Sequence, residues 1–151
     1  MPEQQATPRA ESQVRCRGVR GATFVADDTP AAIWEATREL LEAIAEANGI
    51  DTVDIASVFF TTTVDLRSAF PARAARQLGW VDVPLLGAVE QDHVEGPRRC
   101  IRVLLHWNTT MRQDQVIHVY LRGADSMRVD DPPSHLSAEP PHHMPPEPPG
   151  G

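Results

Sequence analysis

Proline crowds the carboxyl-terminal end of this 151-residue chain and limits where a packed core can form. Eight of the 14 prolines fall within residues 132–151, which hold only two sizeable apolar side chains. Such a stretch cannot bury enough apolar surface to offset the entropy lost on ordering. We therefore predict one small domain over residues 14–129, preceded by a flexible arm over 1–13 and followed by a disordered acidic tail over 130–151.

The negative charge of the chain lies mainly outside that domain. Of the formal charge of −7, residues 130–151 contribute −4 and residues 1–13 contribute −1, which leaves −2 for the domain. The domain contains 13 arginines and no lysine, so every fixed cation in it is a guanidinium. A nearly neutral domain gives no electrostatic support to nucleic-acid binding, and we expect no nucleic-acid partner.

The cysteine content and the hydropathy pattern favour a soluble protein of a reducing cytoplasm. Cys16 and Cys100 are too few for a disulfide framework, and both lie in apparent strands, where a reduced thiol packs as a small hydrophobe. The amino-terminal residues lack the apolar run of a secretion signal, and no run of about 18 apolar residues could span a bilayer. We therefore expect no membrane partner.

Periodicity predicts two helices and five strands. Thr29 and Pro30 form an N-cap and first-turn pair, and apolar residues recur at helical spacing as far as Asn48, which predicts a helix over 30–48. A second, short helix opens at Pro71 and ends at Gly79. The predicted strands cover residues 14–25, 55–62, 83–89, 100–107 and 116–121.

The strand patterns also indicate which faces are buried. The near-continuous apolar run 55–62 predicts a central strand buried on both faces, and Pro84 places the start of strand 83–89 at an edge or a bulge. Two strands alternate: Ile101, Val103, Leu105 and Trp107 form a core face opposite Arg102, and Ile117, Val119 and Leu121 lie opposite His118 and Tyr120. The element order predicts a small α+β domain with a mixed sheet, helices on one face, and an uncovered second face that favours oligomerisation.

The motifs of several enzyme classes are absent. We find no CxxC pair, no phosphate- or dinucleotide-binding glycine pattern, no HExxH and no GxSxG. We interpret His135, His142 and His143, which lie in the proline-rich tail, as adventitious metal binders, and His106 and His118 as strand-face residues. We therefore expect neither a metal nor another cofactor.

Four polar residues stand at strand ends or on strand faces that are otherwise apolar. They are Arg20, Glu90, Arg102 and Tyr120. Each alone fits a solvated or ion-paired surface residue. Together they describe a site with guanidiniums and a carboxylate but no evident nucleophile or general base, which suits an anionic ligand and electrostatic catalysis.

Three parts of the chain resemble the monofunctional chorismate mutases of the Bacillus type. They are RGVRGATFVADDT, DLRSAFPARAARQLGW, and CIRVLLHWNT with QDQVIHVYL, and the resemblance covers roughly residues 15–131. It implies a Claisen rearrangement of chorismate to prephenate, on the route to phenylalanine and tyrosine. It also implies a homotrimeric pseudo-α/β-barrel with active sites between subunits. A pericyclic reaction needs no proton transfer or covalent intermediate, which agrees with the missing nucleophile.

The resemblance assigns a role to each of the four polar residues. Arg102 corresponds to the cation at the breaking ether oxygen, and Arg20 to the residue that pairs with a substrate carboxylate. Glu90 corresponds to the carboxylate that accepts a hydrogen bond from the substrate hydroxyl and faces the positive ring fragment. Tyr120 resembles the tyrosine that assists carboxylate binding.

Further substrate-binding residues are implied by the resemblance alone. Phe70, Ala72, Arg73 and Arg76 line the pocket mouth, Leu85, Leu86, Gly87 and Ala88 form a wall, and Met127 and Arg128 close over the ligand. Arg73 replaces a lysine of the Bacillus relative, which keeps the charge but changes the donor geometry. Gly87 replaces its cysteine, so any side-chain contact there is lost. For Arg128, an unstructured arginine at the head of the tail is an equal alternative.

Two other functions remain open at this stage. The first is a small trimeric imine or enamine deaminase, which also uses an interfacial arginine on a carboxylate, although RGVRGAT and CIRV fit it poorly. The second is a non-catalytic trimer that binds a small dicarboxylate. Adding the protein to chorismate and following the ultraviolet absorbance separates all three.

Overall fold

The secondary structure consists of five strands and two helices, and it is described by a computed structural model over residues 13–128. The predicted arm and tail lie outside these residues, except for Gln13. Short 3₁₀ turns follow α1, β4 and β5. The elements are β1 (Arg15–Phe24), α1 (Pro30–Asn48), β2 (Ile55–Thr62), α2 (Ala72–Gln77), β3 (Leu85–Val89), β4 (Cys100–Thr109) and β5 (Val119–Leu121).

The sheet is mixed, and its strand order is β3-β2-β4-β1-β5. The central strand β4 runs antiparallel to both neighbours, whereas β2 with β3 and β1 with β5 pair in parallel. In this register Arg102 of β4 lies opposite Ala22 of β1 and Thr61 of β2. The fold therefore places this arginine in the middle of the sheet.

Helix α1 begins and ends where its capping residues require. The Thr29 side chain accepts a hydrogen bond from the Ala32 amide at 3.2 Å, and Gly49 takes a left-handed conformation at φ 66° that ends the helix. The predicted bounds 30–48 are confirmed. The large side chains of α1 that are fully buried against the sheet are Ile33, Leu40, Leu41 and Ile44. Burial of each contributes about 1.5–3 kcal/mol to the free energy of folding.

The sheet has one covered and one open face, as the sequence pattern predicts. Both helices pack against the side that carries Val103 and Leu105. On the opposite side Phe59 and Leu104 are each 40% exposed, and Leu86 is 58% exposed. The α+β class with helices on one face is thus confirmed. Across residues 13–128, no helix is long and apolar enough to cross a membrane.

The predicted burial of strand 55–62 on both faces is wrong. Phe60 is 1% exposed, but its neighbour Phe59 points to the open face. The strand is interior, between β3 and β4, but β4 holds the central position. Because both helices cover the same side, an apolar residue on the other side stays exposed however continuous the apolar run is. Strand β3 is an edge strand, as Pro84 predicts, but starts at Leu85 rather than Val83.

The last strand is shorter than predicted, because other groups take its backbone hydrogen bonds. The Asn48 side chain accepts from the Ile117 amide at 2.8 Å and donates to its carbonyl at 2.9 Å. The Arg20 amide donates to Nδ1 of His118 at 2.9 Å. Strand pairing therefore begins only at Val119. Ile117, predicted to lie in this strand on the face of Val119 and Leu121, precedes the strand and is 51% exposed.

Two glycines of β1 differ in the space that a side chain would meet. A Cβ at Gly21 would lie 2.6 Å from Cδ1 of Ile44 and 3.2 Å from Cδ1 of Leu40, so α1 packs directly on this backbone. A Cβ at Gly18 would meet Cδ1 of Leu104 at 3.7 Å, an ordinary contact. Of these two positions, only position 21 requires a glycine, because helix α1 approaches its backbone closely.

We expect Gly21→Ala to lower the free energy of unfolding by about 1–3 kcal/mol, the usual cost of overpacking a filled core. Gly18→Ala serves as the matched control on the same strand and should be neutral or slightly stabilising, because alanine loses less backbone entropy on folding. Urea unfolding of both variants measures the difference. Equal stability of the two variants would contradict the close packing of α1 on β1.

Candidate active site

Four strands bring the predicted polar residues together on the open face of the sheet. A cavity of about 380 Å³ is lined by Arg20, Gly21, Phe59, Thr61, Glu90, Arg102, Val103, Leu104, Tyr120 and Met127. Arg20 comes from β1, Arg102 from β4 and Tyr120 from β5, and Glu90 directly follows β3. All four residues singled out from the sequence therefore line one cavity.

Backbone pairing fixes where Glu90 stands. Its amide donates to the Thr62 carbonyl at 2.8 Å, which extends the pairing of β3 with β2 by one residue. Beyond it the chain leaves the sheet and returns at Cys100. The carboxylate consequently stands beside the cavity at the end of an edge strand, although the loop after it is exposed.

The carboxylate of Glu90 holds two partners, one on each oxygen. Nη1 of Arg102 donates to Oε1 at 3.2 Å, and the Thr61 hydroxyl donates to Oε2 at 2.6 Å. The side chain of Arg102 is 47% exposed and that of Glu90 is 22% exposed. An ion pair this accessible contributes little to stability. Because the Arg102 side chain is nearly half exposed, its other donors can reach a ligand.

Apolar side chains surround these charges. Phe59, Leu104 and Met127 line the same cavity, and the Phe59 ring packs edge-on against His106 at a centroid distance of 5.6 Å. Apolar walls exclude water and strengthen every charge interaction inside them. The cavity thus places the guanidiniums of Arg20 and Arg102 beside apolar side chains.

The segment before the predicted tail reaches the cavity. A 3₁₀ turn over Ala124–Met127 places Sδ of Met127 3.5 Å from Sγ of Cys100. The guanidinium of Arg128 lies 5.0 Å from the ring centroid of Tyr120, in a cation–π contact. Both residues therefore stand at the site, and Arg128 has a defined partner.

Cys100 is adjacent to Arg102 but does not supply a nucleophile. Burial raises the pKa of its thiol to about 11, against the opposing charge of Arg102. The thiolate is the reactive form of cysteine, so this side chain stays neutral and inert in the physiological range. The arrangement agrees with chemistry that uses no covalent intermediate.

A second group of predicted residues lies elsewhere in the same chain. Phe70, Gly87 and Ala88 line a separate cavity of about 530 Å³ together with Phe60 and Thr62. The last two point to the opposite side of β2 from the residues of the first cavity. Within one chain, the structure therefore does not bring this group to Arg102.

Helix α2 carries the basic members of this second group. The guanidinium of Arg73 stacks 4.8 Å from the ring centroid of Trp34, whose indole nitrogen donates to the Phe70 carbonyl at 3.2 Å. Phe70 is 81% exposed, and Arg76 is exposed as well. Ala72 and Leu85 are partly buried against the core instead. The exposed members present an apolar and basic surface away from the first cavity.

Several cavity residues were not singled out from the sequence. Phe59 and Thr61 were missed because strand 55–62 was interpreted as buried on both faces. Leu104 belongs to the same face as Arg102 by simple alternation, which is the signal that could have found it. Strand pairing, which places Thr61 opposite Arg102, is not visible in a single sequence.

Fold and site together define a class of protein: an α+β domain with guanidiniums and a carboxylate in a cavity on an open sheet face. The family model described as chorismate mutase type I matches residues 16–131. The chorismate mutase of Thermus thermophilus is 56% identical over 115 residues, 76% of this chain and 94% of that protein. That of Bacillus subtilis is 42% identical over 115 residues, 76% of this chain and 91% of that protein.

A solved structure agrees with the sequence relatives. The chorismate mutase of Clostridium thermocellum is similar with a TM-score of 0.71 and 44% identity, over 72% of this chain and 97% of that one. This chain belongs to the type I chorismate mutase family. It is an enzyme that rearranges chorismate to prephenate, and the deaminase alternative is not favoured.

Proposed function

We propose that Arg102, Glu90 and Arg20 carry this rearrangement in the open-face cavity. In the reaction an ether C–O bond breaks while a C–C bond forms, within one molecule and without gain or loss of a proton. The protein has to hold a folded substrate and stabilise the charge that separates in the transition state. The single observation that carries the proposal is the convergence of these side chains on one cavity with apolar walls.

The positions of Arg102 and Glu90 suit the two ends of the separating charge. The guanidinium of Arg102 faces the ether oxygen, where negative charge develops. The Glu90 carboxylate faces the ring fragment, which becomes positive, and accepts a hydrogen bond from the substrate hydroxyl. Their 3.2 Å contact supports this assignment, because it sets the two opposite charges side by side before the substrate arrives, which avoids reorganisation during the reaction.

Arg20 and Tyr120 bind substrate carboxylate in this proposal. They come from adjacent strands, β1 and β5, and line the same cavity. A guanidinium recognises a carboxylate through two parallel hydrogen bonds, which fixes direction as well as distance. Met127 and Arg128 close the cavity from above, and the contact of Arg128 with Tyr120 supports that position.

We propose that the residues of the second cavity complete the site from a neighbouring copy in a homotrimer. One chain offers two partial sites: guanidiniums and a carboxylate on the open face, and Phe70, Arg73 and Arg76 elsewhere. The open face exposes Phe59, Leu86 and Leu104, and an apolar surface of this kind is typical of a subunit contact. A closed ring of three would join the two kinds of surface at each interface.

The remaining expectations are part of the same proposal. The reaction uses no cofactor, and the substrate is a small molecule. We propose a cytoplasmic location, which the two unpaired thiols support. The non-catalytic dicarboxylate binder, like the deaminase, is not favoured, because the similar proteins are chorismate mutases.

We expect Arg102→Lys to lower kcat for chorismate by about 10²- to 10³-fold, because an ammonium cannot reproduce a planar donor fork at the ether oxygen. The fold should be kept, since the side chain is half exposed. Arg112→Lys is the matched control: this exposed arginine also pairs with a carboxylate, Asp114, at 3.0 Å, and the variant should keep full activity. Near-normal turnover by Arg102→Lys would contradict the role.

The shared site can be tested by mixing two inactive variants. Arg102→Ala removes one half and Arg76→Ala the other, and a ring of three that contains both variants has one interface with both arginines intact. Doubly tagged mixed oligomers should regain about one third of the wild-type activity. Co-expression of Arg102→Ala with Glu90→Gln is the control: both changes lie on the same half of the site, so no interface is restored. Mixed oligomers as inactive as the parents, or a monomer in solution, would contradict the trimer.

A further inference from the structure

The hydroxyl of Thr61, which lines the cavity, donates a hydrogen bond to the Glu90 carboxylate that the proposed mechanism uses. We propose that Thr61 is a positioning residue that fixes the orientation of Glu90. The inference rests on the proposed role of Glu90 and adds a residue that neither the sequence motifs nor the family resemblance singled out. It stands on the 2.6 Å distance between Oγ1 of Thr61 and Oε2 of Glu90.

The direction of this hydrogen bond follows from the groups involved. A carboxylate can only accept, so the Thr61 hydroxyl is the donor. Its distance is that of a charge-assisted O–H···O⁻ bond, which is stronger than a bond between neutral groups. Because its one hydrogen is committed to Glu90, Thr61 cannot also donate to the substrate, and its influence on the reaction passes through the carboxylate.

The fold holds Thr61 rigidly enough for this role. The residue lies near the end of β2, opposite Ala88 of β3 and Arg102 of β4. Its β-branched side chain has few χ1 rotamers on a strand. Glu90, in contrast, has three rotatable side-chain bonds and follows the end of an edge strand. A stiff donor on an interior strand therefore orients a flexible acceptor at the margin of the sheet.

Without the Thr61 hydroxyl, the Glu90 carboxylate would keep its contact with Arg102 across the cavity. The carboxylate would then turn toward the guanidinium, away from the position where positive charge develops. Glu90 matters more in the transition state than in the bound substrate, so misorientation lowers kcat more than it raises KM. A purely structural role of Thr61 would not produce this split.

The test combines three variants at Thr61 with one at Glu90. We expect Thr61→Val to lower kcat about tenfold or more, from loss of a hydrogen bond to a charged group. Thr61→Ser keeps the donor and should stay within about threefold of wild type. Thr61→Ala removes the hydroxyl with a smaller side chain and replaces the valine variant if that one does not fold. In the Glu90→Gln background, Thr61→Val should lower kcat by less than about twofold, because the two residues act as one unit.

Thr23→Val is the matched control. This threonine is fully buried on strand β1, opposite the core residue Ile101. Within residues 13–128 its hydroxyl donates to the Phe24 carbonyl at 3.5 Å and lines no part of the cavity. The variant should keep the wild-type kcat. Wild-type kcat in folded Thr61→Val or Thr61→Ala, or an undiminished loss in the Glu90→Gln background, would overturn the inference while leaving the proposed mechanism intact. Wild-type kcat in Glu90→Gln alone would instead overturn the role of Glu90, and this inference with it.

Discussion

The antiparallel pairing of β4 with β1 and β2 is the constraint on which the site depends. It places Arg102 at the centre of the sheet, opposite Ala22 on one side and Thr61 on the other. Alternation along β4 then sends its core residues into the helical layer and Arg102 to the open face. Arg20, Thr61 and Tyr120 reach the same place through strands that pair, directly or indirectly, with β4.

In the proposed trimer the open face serves both substrate binding and assembly. Apolar side chains such as Phe59 and Leu104 remain exposed because both helices pack on the other side. An exposed apolar surface of this size stabilises an association, and a charged pocket within it becomes more effective once water is excluded. Under this proposal, subunit contact and charge stabilisation are two consequences of leaving one sheet face without helices.

Local patterns predicted much of this structure, because local physics decides those parts. The caps at Thr29 and Gly49 set the bounds of α1, and alternation assigned the two faces of β4 correctly. Alternation in the run 55–62 was hidden, because the adjacent Phe59 and Phe60 are both apolar and only the placement of the helices decides which of them is covered. The late start of the last strand depends on the Asn48 side chain, which bonds to Ile117, 69 residues away in sequence.

The candidate site was predictable in part for the same reason. Arg20, Glu90, Arg102 and Tyr120 stand out as polar residues on apolar strands, so the sequence identifies them. Thr61 does not stand out, because a threonine is ordinary in a strand and its role depends on cross-strand distance. The residues of α2 and β3 are implied by the family alone. Within one chain Arg73 and Arg76 of α2 lie apart from the others, whereas Leu86 of β3 pairs with Phe59 on the open face.

The central claim is that fixed charges, rather than proton transfer, accelerate the rearrangement, and the pH dependence of kcat for chorismate tests it most directly. The account predicts a rate that is roughly constant between about pH 6 and 9, because no residue has to change its protonation state during the reaction. A steep bell-shaped profile centred near neutrality would show that an acid and a base take part, and would contradict the account.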